Sequence, residues 1–172
     1  GALSFTSTTA NLTTDFGAHA LSLSSSTLNL GVDAVLNGAT TFVSSTVNGP
    51  GTLTNASTFT FQYVTMNAPF VNQSVVVMRG GSVNAINGTF VSTAGSMLRL
   101  QADGFLDASV LNINGASGYT NTGAIELTSI NVGTTASLNV TNGTLLNPAG
   151  STISVLAGVG GARNLNAELD KR

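Results

Sequence analysis

Titratable side chains, which acid–base and metal chemistry require, are scarce in this chain. Seven Asp and Glu, five Lys and Arg and one His occur among 172 residues. Outside the last ten residues, the only two carboxylates close together in sequence belong to Asp103 and Asp107. Two carboxylates at short range can act as general acid and base or bind a cation. The pair is a weak candidate for a metal or catalytic site, because Asp-Gly at 103–104 is also ordinary turn sequence.

Other familiar catalytic and cofactor patterns are missing from the sequence. His19 is the only histidine, so no site with several His ligands can form, and the absence of Cys excludes thiolate ligands and disulfides. No Gly-x-Ser-x-Gly segment accompanies His19, and the glycine pairs lack the Lys of a phosphate-binding loop. We therefore expect neither enzymatic activity nor a cofactor.

The surface of this protein must be nearly free of charge. Charged residues make up 7% of the chain, against about 25% in ordinary globular proteins. No basic patch can neutralise phosphates, so nucleic-acid binding is not expected. No apolar run reaches the roughly 18–20 residues that span a bilayer, so membrane insertion is not expected. A surface of Ser, Thr, Asn and Gly favours a secreted or cell-surface location.

A repeat organises the elements that would position these residues. Five times a bulky residue is followed two positions later by Asn or Ser, and then by an alternating apolar pair. The bulky residues are Leu53, Phe70, Phe90, Tyr119 and Leu145. The polar residues are Asn55, Asn72, Ser92, Asn121 and Asn147. The pairs are Phe59/Phe61, Val76/Met78, Leu98/Leu100, Ile125/Leu127 and Ile153/Val155. Self-similarity at about 20–30 residues predicts a chain that stacks on itself as a solenoid.

The composition of the repeat is that of β-strands. Val, Ile, Thr, Phe and Tyr dominate, apolar and polar residues alternate, and Gly, Asn and Ser separate the segments. We predict an all-β fold, a single-stranded parallel β-helix (β-solenoid) of about six to seven coils. The solenoid would occupy residues 1–157, with regular coils in 51–157 and less regular ones in 1–50. A Gly-rich hinge and charged tail would follow in 158–172. An antiparallel sandwich is the alternative, but it does not require the same residue at the same offset in each copy.

Stacking the coils about 4.8 Å apart places equivalent residues above one another. The five bulky residues then form one internal stack. The five Asn and Ser residues form a ladder whose side-chain amides bond along the axis at a turn. The same register places Arg99 over Glu126, both facing outward, as an attractive pair worth about a few tenths of a kcal/mol.

Three of the copies begin with Gly and Thr. They read Gly51-Thr52-Leu53-Thr54-Asn55, Gly88-Thr89-Phe90-Val91-Ser92 and Gly143-Thr144-Leu145-Leu146-Asn147. These copies resemble the Gly-Thr-Leu-x-Asn coils of pectin-lyase-like right-handed parallel β-helices, which are common in secreted adhesins and autotransporter passenger domains. The resemblance covers about residues 51–157. It implies a right-handed coil in an extracellular, elongated protein with a structural or adhesive role.

The leading functional hypothesis is an extracellular structural or adhesive β-solenoid. It would be a segment of a cell-surface adhesin or stalk, or a subunit of a head-to-tail filament. Its partners would be copies of itself stacked along the axis or neighbouring repeats of a longer chain. The alternative is a non-catalytic module that binds surface glycans through exposed Tyr63, Tyr119 and the Asn and Thr ladders. A polysaccharide-active enzyme using Asp103 and Asp107 is less expected.

Six Asn-x-Ser/Thr sequons occur, which is close to the number that the abundance of these residues gives by chance. The exposed candidates for glycosylation are Asn11, Asn87 and Asn142. Asn55 and Asn72 belong to the predicted ladder and would be poor acceptors if buried.

Overall fold

The computed structural model of the protein describes residues 2–15, 17, 19–103, 108–130 and 133–172, with the backbone alone for Gly81 and Ser82. In this part of the chain every regular element is a β-strand, and there are twenty-one of them. The same residues contain no helix of the length and apolarity needed to cross a membrane.

The chain winds into one coil with three faces. Successive turns add their strands to these faces in chain order. Face 1 contains β1 (Leu3–Thr6), β3 (Leu21–Ser24), β6 (Thr40–Val43), β9 (Thr58–Gln62), β12 (Val75–Arg79), β15 (Met97–Ala102), β18 (Ala124–Ser129) and β20 (Thr152–Val155). Face 2 contains β2 (Thr9–Leu12), β4 (Thr27–Leu30), β7 (Thr46–Asn48), β10 (Thr65–Met66), β13 (Gly81–Ile86) and β16 (Ser109–Ile113). Face 3 contains β5 (Ala34–Leu36), β8 (Leu53–Asn55), β11 (Phe70–Asn72), β14 (Phe90–Ser92) and β17 (Tyr119–Asn121). The long β19 (Ala136–Asn147) runs from face 2 into face 3, and β21 (Arg163–Lys171) pairs along it.

Every pairing is parallel and joins a strand to its equivalent one turn later. This is the arrangement of a parallel β-helix, so the predicted all-β solenoid fold is confirmed and the antiparallel sandwich is excluded. The predicted number of six to seven coils is not confirmed, since face 1 contains eight strands.

Alternation of apolar and polar residues fixes which side of each strand is buried. In β15, Leu98, Leu100 and Ala102 are buried, and the residues between them face outward. At the middle of the coil the interior is aromatic, with ring centroids 4.3–6.4 Å apart among Phe42, Phe59, Phe61 and Phe70. Burial of each such side chain contributes about 1.5–3 kcal/mol. The stacked interior is therefore the main source of stability.

Both ends of the chain follow the same scheme. Residues 1–50, where less regular coils were predicted, contain β1 to β7, and each of these strands pairs in parallel with its neighbour. The structure differs from the predicted hinge and tail over 158–172, because Arg163–Lys171 is strand β21. Leu165 and Leu169 explain the difference, since they extend the inner columns of Leu138 and Leu145 by one more turn.

Candidate functional surfaces

The internal stack occupies face 3. Leu53, Phe70, Phe90, Tyr119 and Leu145 lie in one register, and each is at most 2% exposed. The rings of Phe70 and Phe90 have centroids 5.2 Å apart with planes at 10°, and those of Phe90 and Tyr119 lie 4.5 Å apart at 4°. Parallel stacking at one-turn spacing follows from the in-register pairing of the strands.

Tyr119 is part of the core, which corrects the hypothesis that it is an exposed glycan-binding residue. Its side chain is 1% exposed, and its hydroxyl lies 2.6 Å from Ser92 Oγ. Burial raises the pKa of the Tyr119 phenol above its ordinary value, and the hydrogen bond with Ser92 opposes that rise. Tyr63, by contrast, is 41% exposed.

The inner ladder consists of two amide pairs separated by Ser92. Asn55 Nδ2 donates to Asn72 Oδ1 at 3.0 Å, and Asn121 Nδ2 donates to Asn147 Oδ1 at 2.8 Å. These four side chains are at most 3% exposed. In the middle, Ser92 bonds the hydroxyl of Tyr119 one turn later, so the amide sequence is interrupted there.

The inner ladder also binds the backbone of the turns between face 3 and face 1. Asn72 Nδ2 donates to the carbonyl of Met97 at 3.0 Å, and its Oδ1 accepts from the amide of Ser74 at 3.2 Å. Asn55 accepts from the amide of Ser57 in the same way. Buried backbone groups require such partners. The inner ladder therefore closes successive turns and offers nothing to a ligand.

Two ion pairs cross from one turn to the next on face 1. Arg99 is aligned with Glu126, and its Nε and Nη2 both lie 2.7 Å from Glu126 Oε2. Arg79 Nη2 lies 2.8 Å from Asp103 Oδ2. The side chains of Arg99 and Glu126 are 35% and 18% exposed, whereas Asp103 is 4% exposed as a residue.

Asp103, the described member of the carboxylate pair, is engaged with Arg79 rather than open to a ligand. Its predicted companion, Asp107, lies outside the described residues. Among the residues that the structure describes, no group of three or more His, Cys, Asp or Glu could hold a metal ion.

A second asparagine ladder, which the sequence analysis missed, runs along the outside of face 2. Each member after the first, Asn11, donates from Nδ2 to Oδ1 of the residue one turn earlier, at 2.7–2.9 Å. The outer ladder consists of Asn11, Asn29, Asn48, Asn67, Asn87 and Asn114. Thr141 completes it by donating from Oγ1 to Asn114 Oδ1 at 2.7 Å. Neighbouring Asn residues of the outer ladder are 18, 19, 19, 20 and 27 residues apart in sequence, and this spacing is the signal that predicts the outer ladder.

A column of threonines accompanies the outer ladder two residues earlier on each strand. Thr9, Thr27, Thr46 and Thr65 are in register over four successive turns. The column continues as Ala85, Asn112, Asn139 and Asn166, and the last three are joined by amide hydrogen bonds of 2.7 Å.

The three exposed sequon candidates differ in what their amide nitrogen does. Asn87 Nδ2 donates to Asn67, and Asn142 Nδ2 donates to the carbonyl of Asn114 at 3.0 Å. Asn11 accepts from Asn29, and its nitrogen makes no hydrogen bond within the described residues.

Two clefts are formed by the described residues. One of about 420 Å³ lies at the β20–β21 end and is lined by Asn147, Ile153, Leu165, Leu169 and neighbouring residues. A smaller one of about 240 Å³ follows the turns between face 3 and face 1. Neither cleft contains a carboxylate or histidine among its lining residues.

Comparison of the chain with protein-family models, with curated proteins and with solved structures finds no match.

Proposed function

We propose that this protein is an extracellular structural or adhesive β-solenoid, a segment of a cell-surface adhesin or stalk or a subunit of a head-to-tail filament. The observation that supports the proposal is the continuity of the columns. The internal stack, the outer ladder and the apolar pairs of face 1 all run along one axis. Residues arranged in this way build a rod with a constant repeat, and few side chains remain for chemistry.

The extracellular location is supported by the surface. The outward side chains are dominated by hydroxyl and amide groups, and the sequence copies resemble those of secreted adhesins. A neutral surface of this kind has little attraction for nucleic acid or for anionic membranes.

The ends of the coil support association along the axis. Val155 of β20 and Leu169 of β21 are 64% and 46% exposed, and both lie in columns that are buried in the preceding turns. Open sheet edges with apolar side chains invite a further turn. That turn belongs either to a neighbouring repeat of the same polypeptide or to a second copy.

A second copy would continue the existing columns. Ile153 and Val155 stand in the two face 1 columns that begin with Leu3 and Phe5. Leu3 and Phe5 are partly buried and pack against the core cluster. Stacking β1 of one copy on β20 of another therefore repeats the contact that every turn of the coil already makes, and such a contact does not close.

Electron microscopy of the purified chain with two lysine variants tests this proposal. Wild-type protein should form rods that lengthen with concentration. Val155→Lys places a charge in the end contact and should leave single particles. Val91→Lys is the matched control, because Val91 is 41% exposed on the side of the coil and should not affect rod length. Rods of equal length for both variants, or single wild-type particles at all concentrations, would contradict axial association.

The proposal also holds that the protein is not an enzyme. If the wild-type chain releases sugars from a polysaccharide and Asp103→Asn abolishes this release, that result would contradict the proposal that the protein is not an enzyme. The Arg79–Asp103 contact predicts that the same substitution instead lowers stability, because Arg79 loses its charged partner.

A further inference from the structure

The Thr and Asn columns of face 2 form a regular array without charged residues, called here the Thr/Asn face. It comprises the in-register pairs Thr9/Asn11, Thr27/Asn29, Thr46/Asn48 and Thr65/Asn67, extended by Asn87 and Asn114. The sequences of the strands on this face, from Thr9 to Asn147, contain no charged residue. Successive rows are about 4.8 Å apart, and the two columns are about 7 Å apart along each strand.

Hydrogen-bonding capacity on this face is only half used. An amide has two N–H donors and two acceptor positions. Asn67 donates once, to Asn48, and accepts once, from Asn87. One N–H and one lone pair of each inner member of the outer ladder therefore remain for a partner. The hydroxyls of Thr46 and Thr65 make no hydrogen bond to any described residue, so they are available too.

The outer ladder also fixes where these groups point. Each amide is held on both sides at 2.7–2.9 Å, so it loses little conformational entropy when it binds. A rigid row of identical groups favours a partner that is itself periodic, because each row then makes the same contact and weak contacts act together.

We infer that the Thr/Asn face binds extended, β-linked neutral polysaccharide, with the sugar chains lying along the axis of the coil. Such chains are uncharged, carry hydroxyls that both donate and accept, and pack into flat layers. The length of one sugar unit along such a chain is close to the rise of the coil from one turn to the next. The inference rests on the proposed adhesive function and names the class of surface to which the rod adheres.

Tyr63 marks one edge of this binding surface. It follows β9 at the corner between face 1 and face 2, in the position occupied by Ser7, Ser25 and Ser44 in the three preceding turns, and all four have φ of 48–56°. Its ring is 41% exposed and precedes Thr65 by two residues. An exposed aromatic ring beside hydroxyl and amide donors is suited to packing against the apolar face of a sugar.

Sedimentation of the purified chain with microcrystalline cellulose tests the inference. Thr46→Val/Thr65→Val removes two hydroxyls from the Thr/Asn face and keeps the shape of the strands. Thr41→Val/Thr60→Val is the matched control, because these residues are aligned on face 1 of the same two turns. We expect the first variant to bind at least tenfold more weakly than wild type, Tyr63→Ala to bind several-fold more weakly, and the control to bind as wild type does.

Three outcomes would overturn the inference. Wild-type protein that does not bind cellulose or chitin has no such site, and equal loss in both threonine variants places binding elsewhere. Adsorption to ice without adsorption to polysaccharide would mean that the Thr/Asn face matches the ice lattice and not a sugar chain. Rod formation in the microscope is independent of all three, so failure here leaves the structural proposal standing, and absence of rods leaves the binding result intact.

Discussion

Truncation of Asn72 tests whether the inner ladder supports the coil. The amide is fully buried and makes three hydrogen bonds: to Asn55, to the amide of Ser74 and to the carbonyl of Met97. Asn72→Ala removes all three. Asn55 retains a bond to the carbonyl of Val75 at 3.2 Å, so two backbone groups lose this partner.

The expected magnitude follows from those two groups. Both groups lie in half-buried positions, where a hydrogen bond contributes about 0.5–1.5 kcal/mol net, so Asn72→Ala should destabilise the protein by about 1–3 kcal/mol. Asn67→Ala is the matched control, because Asn67 has two ladder neighbours but is exposed. Water can replace its bonds, and we expect a loss below about 1 kcal/mol.

Urea denaturation followed by far-ultraviolet circular dichroism measures both variants. The reasoning requires a lower midpoint for Asn72→Ala with an unchanged slope, since a changed slope would indicate that the coil no longer unfolds as one unit. Equal losses for the buried and exposed variants would refute it. Asn72→Asp adds a pH test: a buried carboxyl has a raised pKa, so this variant should lose stability as the pH rises above about 4.

Three further predictions concern turns, ionisation and charge. Gly118→Ala should lower the free energy of unfolding in urea by more than about 3 kcal/mol, because the added Cβ would lie 2.3 Å from the carbonyl of Thr144. Gly95→Ala has a similar φ in open space and should lower it by only about 1–2 kcal/mol. Burial raises the pKa of Tyr119, so above pH 10 the unfolded chain loses its proton first; the free energy of unfolding should fall by up to about 1.4 kcal/mol per pH unit, and Tyr119→Phe should remove that dependence. Arg99 and Glu126 should show a coupling of about 0.5–1 kcal/mol in a double-mutant cycle that weakens in 1 M salt.

Each of these has a clear contrary result. Similar losses for the two glycine variants would mean that turns do not stack closely at residue 118. Parallel alkaline unfolding profiles for wild type and Tyr119→Phe would contradict burial of the phenol. A coupling that is insensitive to salt would indicate that Arg99 and Glu126 interact by packing alone.

The parallel fold and its register were accessible from sequence because stacking requires the same residue type at the same offset. Phe70 and Phe90 are recognisable as neighbours in one column for this reason, although 20 residues separate them. The outer ladder does not follow from the repeat of bulky residues, because that repeat begins at Leu53. In 1–50 the Asn residues recur more evenly than the bulky ones.

Other features depend on three-dimensional detail that spacing does not contain. The inner ladder is interrupted at Ser92 because the hydroxyl of Tyr119 reaches Ser92 from the next turn. The partner of Asp103 depends on how far the side chain of Arg79 extends between turns. Strand β21 is not recognisable from the sequence because its alternating pattern includes Asn, Glu and Asp, which are unusual in strands. These residues are tolerated here because β21 lies at the exposed end of the coil.

Small-angle X-ray scattering across a concentration series tests the central claim most directly, because it measures the length and the cross-section of the particle separately. Eight strands on face 1 at about 4.8 Å each give a unit of about 38 Å along the axis. The account predicts that the longest dimension grows by multiples of about this unit while the cross-section stays constant. A cross-section that grows with concentration, or a compact particle whose length never changes, would contradict a rod that associates end to end.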